Sequence, residues 1–166
     1  MNLGKQLVES YAGPAKAEDL PVGAYAALLT LYAGTFGAAL WAGSRHDLLP
    51  RSIAVLDVAF LGLATHRLSR LLTRDRITMP LRMAFTRYES NDGAGEVREH
   101  SRGRGWRKAL GSLLTCPFCV GPWIAGALTT AFVLRPRETR LVASALVMVT
   151  ISDFAHQAYA FARKAS

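Results

Sequence analysis

The 166-residue sequence is poor in charged side chains, which make up 19% of the chain against about 25% in an average soluble domain. The shortage is concentrated in a few long apolar stretches, as a membrane protein requires. The N-terminus also lacks a compact basic segment, because Glu9, Glu18 and Asp19 lie within the first twenty residues. This absence argues against a cleaved signal peptide. The sequence contains no internal repeat and no low-complexity linker, and its length is that of one domain.

Four apolar stretches predict transmembrane helices, since crossing the hydrocarbon takes about 20 residues in a helix. We expect an all-α bundle within residues 22–166, with spans at about 22–42, 52–72, 113–134 and 141–161, preceded by a cytoplasmic segment, 1–21. The first span contains no charged residue between Val22 and Trp41. The second is the least hydrophobic, because it includes Asp57, His66, Arg67 and Arg70.

A basic loop, residues 73–112, separates the second and third predicted spans. Nine basic residues lie in its first 37 positions: Arg74, Arg76, Arg82, Arg87, Arg98, Arg102, Arg104, Arg107 and Lys108. Apolar residues recur at helical spacing between Pro80 and Glu89, which predicts a short interfacial amphipathic helix. Residues 91–95 predict a flexible turn. Trp106, flanked by Arg and Gly, favours anchoring among anionic lipid headgroups over contact with nucleic acid.

The distribution of basic residues orients these spans, because basic residues in short loops stay on the cytoplasmic side. With four spans, the N-terminus, the middle loop and the C-terminus share one side and hold 13 of the 20 basic residues. The two opposite loops hold five. We therefore predict a multi-pass protein of the plasma membrane with both termini in the cytoplasm.

Ionisable side chains within the predicted spans are candidates for function, because they are costly in hydrocarbon. At about 1.5 Å per residue from the outer helix ends, His66, Cys119 and His156 reach a common level near the cytoplasmic face. Asp153, His156 and Gln157 share one helix face, since they are spaced i, i+3, i+4. For Asp57 and Asp153, a functional role and a structural polar contact both remain open.

The pair Cys116 and Cys119, with Pro117 and Phe118 between them, admits three interpretations. In the first, the cysteines are small structural residues at a tight helix start. In the second, they are half of a tetrahedral zinc site, completed by His66, His156, Asp153 or the cysteines of a second copy. In the third, they form a redox-active pair at a helix N-terminus, although no thioredoxin-like pattern surrounds them.

A group of charges lies at the end of the second predicted span, and we call Arg67, Arg70, Asp75 and Arg82 the charged collar. It either sets the topology of the protein or binds anionic lipid or a partner protein.

Two sequence blocks carry a resemblance to a known family. One runs from Ala64 to Asp75 and continues through Ile77 and Pro80 to Arg82, and the other runs from Leu113 to Trp123. They resemble the bacterial membrane family known as domain of unknown function 1360. By resemblance, its signature positions are Arg67, Arg70, Asp75, Pro80, Arg82, Cys116, Cys119 and Trp123. The family usually has an aromatic residue where His66 stands and often Trp where Phe118 stands. The resemblance implies a small multi-spanning protein, in some relatives linked to sporulation, without a known reaction.

Together these features favour a non-enzymatic envelope or scaffold protein, and they name no reaction. One alternative is a metal-binding or thiol-redox membrane protein that uses Cys116 and Cys119, with zinc as the metal. A weaker alternative is a pore former of the holin kind. The expected partners are anionic lipids at the basic loop and a second copy of the chain in a homo-oligomer, whereas nucleic acid is not expected.

Overall fold

The computed structural model describes Gln6, Ser10, Tyr11 and residues 20–93 and 95–165. Most of the predicted N-terminal segment, 1–21, lies outside the described residues. The six helices of the described chain are α1 (Val22–Arg45), α2 (Val55–Thr73), α3 (Met79–Arg82), α4 (Gly105–Thr115), α5 (Pro117–Leu134) and α6 (Pro136–Ala165). A 3₁₀ turn, Arg76–Thr78, precedes α3, and strands β1 (Thr86–Asn91) and β2 (Val97–Ser101) form an antiparallel pair.

Three helices of the described chain are long and apolar enough to cross a membrane, namely α1, α5 and α6. They correspond to the first, third and fourth predicted spans. The second predicted span is also a helix, α2, but its composition does not reach that standard. Asp57, His66, Arg67 and Arg70 lower its hydropathy, since each is polar or charged. Composition therefore supports three spans, whereas we predicted four.

Prolines set the boundaries of the last two apolar helices. The residue before a proline avoids helical backbone angles, and proline itself fits the first turn of a helix. Cys116 is accordingly extended, at φ −118° and ψ 105°, so α4 and α5 are separate helices on either side of it. The third span begins at Pro117, four residues later than predicted. Helix α6 starts at Pro136, so the predicted break at 135–140 is reduced to Arg135.

The interfacial helix predicted between Pro80 and Glu89 is wrong. Helix α3 ends at Arg82, and β1 takes up most of the remaining residues. Thr86 and Tyr88 favour a strand, and β2 supplies the partner that a local helical pattern cannot reveal. The strands pair from Thr86 opposite Ser101 to Asn91 opposite Val97, with a bulge between Tyr88 and Ser90. The structure is therefore mostly helical but not all-α.

Gly93 and Gly95 allow the chain to reverse between the two strands. Their φ angles are 76° and 81°, in the left-handed region that glycine adopts without strain. The reversal falls within the turn predicted at 91–95. The Arg76 amide donates to the Gly95 carbonyl at 3.0 Å, and the Val97 amide donates to the Arg74 carbonyl at 2.9 Å. The segment after α2 is thus bonded along the hairpin.

The described chain divides into two compact units. The first unit comprises residues 1–34 and 73–116, and the second comprises residues 35–72 and 117–166. In the first unit, α4 packs against the hairpin through Gly111. A Cβ atom at Gly111 would lie 2.4 Å from the Phe85 carbonyl oxygen and 2.9 Å from the Ser101 Cβ atom. This close approach therefore requires glycine.

The first unit is organised around a buried ion pair between Arg82 and Glu99, whose side chains are 1% and 2% exposed. The Arg82 guanidinium also donates to the Thr78 hydroxyl at 2.7 Å and to the Asp75 carbonyl at 3.0 Å. The Thr86 hydroxyl donates at 2.9 Å to the Arg82 carbonyl and lies 3.3 Å from the second Glu99 oxygen. A buried charge is tolerated when it is both paired and hydrogen-bonded in this way.

Replacing Glu99 by Ala should destabilise the first unit strongly, because it leaves the Arg82 guanidinium buried without a counter-charge. We expect a loss of about 3–5 kcal/mol in the free energy of unfolding. Amide hydrogen exchange of β1 and β2 in the detergent-purified full chain measures this loss.

The matched control is Asp92→Ala. It removes a more exposed ion pair, in which the Arg98 guanidinium lies 2.8 Å from an Asp92 carboxylate oxygen. An exposed pair is worth about 0–1 kcal/mol, so exchange should change little. Equal effects of the two substitutions would contradict the central role of the buried pair.

Candidate functional site

Two ion pairs join α2 to α6 within the second unit. Near the N-terminal ends of both helices, the Arg140 guanidinium donates to both Asp57 carboxylate oxygens, each at 2.8 Å. Farther along, the Arg67 Nε atom lies 3.5 Å from an Asp153 carboxylate oxygen. The pairs occur in the same order along both helices, so α2 and α6 run parallel. The interval is 10 residues in α2 and 13 in α6, about 15 and 20 Å of helix.

Helix α5 runs in the opposite direction to α2 and α6. Near its start, a Cβ atom at Gly121 would lie 3.8 Å from the hydroxyl oxygen of Ser69, near the end of α2. Near its other end, the Phe132 ring lies 5.2 Å from the Arg140 guanidinium, in the first turns of α6. The start of α5 is thus beside the end of α2, and its end is beside the start of α6.

The part of α1 that belongs to the second unit ends at the same level as α5. A cavity of about 200 Å³ has an almost wholly apolar lining from these two helices and the loop after α1. Phe36, Leu40 and Gly43 contribute from α1, and Thr130 and Val133 contribute from the C-terminal part of α5. The four helical segments of this unit therefore alternate in direction from one to the next along the chain.

These contacts give the predicted intramembrane carboxylates a defined place. Asp57 is 13% exposed and holds Arg140 in a two-point contact, and Asp153 contacts Arg67. The two side chains thus take part in helix-to-helix ion pairs at different levels of the unit. Sequence reasoning selected Asp57 and Asp153 but missed Arg140 as a partner. No local signal could have found it, because 83 residues separate it from Asp57.

The structure does not assemble the predicted metal ligands into a site. Within the described residues, no three His, Cys, Asp or Glu side chains form a group that could hold a metal ion. His66, His156 and Gln157 are exposed on their helices. The common depth of His66, Cys119 and His156 stays a prediction.

Cys116 and Cys119 are joined in a disulfide. Cys116 is half-buried at the break between α4 and α5, and Cys119 is exposed in the first turn of α5. Bridged sulfurs cannot act as thiolate ligands, so zinc binding at this pair would first require reduction. The spacing of three residues at a helix start was the one sequence signal for the bond, and it did not distinguish bridged from free thiols.

The charged collar is distributed over both units. Arg67 and Arg70 belong to the second unit, and Asp75 and Arg82 belong to the first. Arg82 is buried against Glu99, so its charge is not available to lipid or a partner. Of the other signature positions, Pro80 is exposed and Trp123 is half-buried. Glu99, the main partner of Arg82, was not among the predicted site residues.

These features define a small multi-helix protein with three candidate membrane spans and two interhelical ion pairs. Residues 60–159 match the family model described as "Protein of unknown function (DUF1360)". The match covers more than half of the chain, so the chain belongs to this family, as the two sequence blocks indicated. Arg67, Arg140 and Asp153 lie within the matched range, and Asp57 lies just before it.

One curated relative is the sporulation protein YjcA of Bacillus subtilis (strain 168). The chain is 36% identical to it over 88 residues, which cover 51% of this chain and 75% of the relative. No solved structure matches the chain.

Reversing one charge of the α2–α6 pair should destabilise the helix arrangement, and reversing both should restore it. Arg140→Asp places a second carboxylate against Asp57, and an uncompensated charge in a membrane helix costs up to about 3 kcal/mol. Thermal unfolding of the detergent-purified protein should show this loss for the single variant. Asp57→Arg combined with Arg140→Asp should recover most of it.

Glu138→Lys is the control on the same helix, because Glu138 is exposed and lies 3.9 Å from the Arg135 guanidinium. Its effect should stay below about 1 kcal/mol. A double reversal no more stable than the single variants would show that the pair does not hold α2 to α6.

The two cysteines should resist a maleimide reagent until the purified protein is reduced, and both should then react. Replacing both by Ser should leave expression and assembly nearly unchanged. The bond closes a loop of only four residues, for which the entropic stabilisation is small, about 2 kcal/mol. Mass spectrometry of the labelled chain gives the number of free thiols. Labelling without reduction, or stoichiometric zinc in the purified protein, would instead support the metal alternative.

Proposed function

We propose that the protein is a non-enzymatic scaffold of the bacterial cell envelope that crosses the plasma membrane four times, with α2 as the additional span. The observation that carries this proposal is the parallel attachment of α2 to α6 by Asp57–Arg140 and Arg67–Asp153. Helix α6 is a candidate span by length and composition. A helix attached alongside it at two points about 15 Å apart enters the membrane with it.

The same pairs explain why composition alone does not identify α2 as a membrane span. Charged groups lower the hydropathy of a helix whether or not they have partners. In a bilayer, however, the cost depends on the partner, and paired charges facing the interior of a bundle are tolerated. Two of the charges of α2 have partners on α6. The alternating helix directions of the second unit are those that four successive crossings require.

A scaffold role follows from how these charges are used. Ion pairs that set the register between helices stabilise an assembly of helices. That role does not require a catalytic group. The relative named as a sporulation protein supports a bacterial setting for this role. In this proposal both termini and residues 73–112 are cytoplasmic, as the basic residues favour.

The proposed partners are anionic lipids at the basic segment and a second copy of the chain. For the second copy, α1 offers Gly34 and Gly37, where an added Cβ would meet no described atom within 4 Å. Small residues at such positions let helices approach closely in lipid. The holin-like alternative has no specific observation in its favour, and toxicity on expression is its direct test.

Labelling of single cysteines in whole cells tests the four crossings. In a Cys116→Ser, Cys119→Ser background, Ser52→Cys, between α1 and α2, and Glu138→Cys, in the first turn of α6, should react with a membrane-impermeant maleimide from outside. Glu89→Cys in the hairpin and Lys164→Cys near the end of α6 should react only after lysis.

If α2 did not cross, Ser52 and Glu89 would lie on the same face of the membrane, because α2 is the only long helix between them. The same reactivity of Ser52→Cys and Glu89→Cys in intact cells would therefore contradict the proposal. Recovery of the protein in the soluble fraction without detergent would also contradict the proposal.

A further inference from the structure

We infer that residues 73–116 of the first unit dock on the anionic cytoplasmic leaflet through an exposed apolar ridge formed by Ile77, Leu81, Met83 and Trp106. This inference rests on the proposed topology, which puts residues 73–112 on the cytoplasmic side. The ridge side chains are 81%, 71%, 60% and 55% exposed, respectively. Large apolar side chains exposed in one small region mark an interaction surface.

The local structure places the ridge on the side of the segment that faces away from the hairpin. Ile77 and Leu81 are four residues apart across the 3₁₀ turn and α3, so they lie close to one face of this helical segment. The adjacent Arg82 points into the hairpin, where Glu99 holds it. The ion pair thus fixes the inward face of the segment and leaves Ile77 and Leu81 outside.

Trp106 is held near the same surface by its neighbour in the first turn of α4. The Arg107 guanidinium donates two hydrogen bonds, of 2.9 and 2.8 Å, to the Ala84 carbonyl oxygen. Ala84 directly follows Met83, so these bonds bring the start of α4 next to the turn after α3. The ridge therefore includes two segments that are distant in sequence but tied by a defined contact.

The charge around the ridge matches an anionic surface. Residues 73–109 contain nine basic and five acidic side chains, a net charge of +4. Among the acidic ones, Glu99 is buried against Arg82, and Asp92 is bonded to Arg98. Arg76 and Arg104 are exposed and lie one and two residues from Ile77 and Trp106. Basic residues beside exposed apolar ones are typical of surfaces that enter the headgroup region of anionic membranes.

The position of the ridge in the chain favours lipid over a soluble partner. Ile77 follows the end of α2, at Thr73, by four residues, a reach of at most about 14 Å. If α2 crosses the membrane, Ile77 cannot leave the vicinity of the leaflet. Tryptophan is enriched at this level of membrane proteins, which accounts for Trp106.

An environment-sensitive fluorophore on the full-length protein in nanodiscs tests the docking. The label is attached to Leu81→Cys in the Cys116→Ser, Cys119→Ser background, and to Glu89→Cys, exposed on β1, as the matched control. The nanodiscs contain either phosphatidylcholine alone or phosphatidylcholine with phosphatidylglycerol. The Leu81 label should emit at shorter wavelength and resist an aqueous quencher severalfold better in anionic nanodiscs, and the Glu89 label should remain quenched in both.

Charge variants test the electrostatic part. Arg76→Gln combined with Arg104→Gln should remove most of the protection of the Leu81 label. Gln keeps a donor for the Asn91 side chain, which Arg76 contacts at 3.0 Å. Arg98→Gln, which alters a pair on β2, should leave the protection unchanged. Where Leu81→Cys does not fold, Ile77→Cys replaces it.

A Leu81 label that is equally quenched in both nanodiscs overturns the docking. Protection that is the same in both lipid mixtures and survives in detergent points to a protein contact and overturns the lipid assignment. Neither result affects the four crossings, which whole-cell labelling measures separately.

Discussion

The structure depends on the attachment of α2 to α6 by oppositely charged side chains. A helix with an aspartate near its start and arginines near its end is poorly suited to hydrocarbon by itself. Asp57 and Arg67 find Arg140 and Asp153 on one neighbouring helix, and this converts isolated charges into paired ones. Two contacts along parallel helices also set their register, because sliding either helix by one turn separates both pairs. In this way the least hydrophobic helix becomes an integral part of the second unit.

The basic segment between α2 and α5 uses the same physical device in a different setting. Arg82 and Glu99 are almost completely buried, and hydroxyl and carbonyl groups complete their hydrogen bonds. The pair links a single helical turn to the second strand of a hairpin. Gly111 lets α4 pack closely against that hairpin. A segment that reads as a charged loop is therefore a folded unit. Its buried pair determines which side chains face outward, and these include the apolar ridge.

The sequence predicted the apolar helices well, because hydrophobic length is a local property. Residues 22–42 are apolar enough to be read directly, and Pro117 and Pro136 could have refined two boundaries. The hairpin was missed because helical spacing over Pro80–Glu89 competes with strand preference, and only the pairing of Thr86 with Ser101 decides between them. The family blocks were recognised from residues, and the family match confirms them. The metal readings of Cys116 and Cys119 came from spacing alone, which does not reveal that the sulfurs are bridged.

The sequence by itself determined the family, the apolar helices that could span a membrane, and the choice of Asp57 and Asp153 as candidate residues. These follow from composition, from runs of residues and from motifs, all of which are contiguous in the chain. Only the tertiary structure decided the partners: Arg140 for Asp57, Asp153 for Arg67 and Glu99 for Arg82. The reason is that an ion pair depends on distance in space, and these partners are 83, 86 and 17 residues apart along the chain.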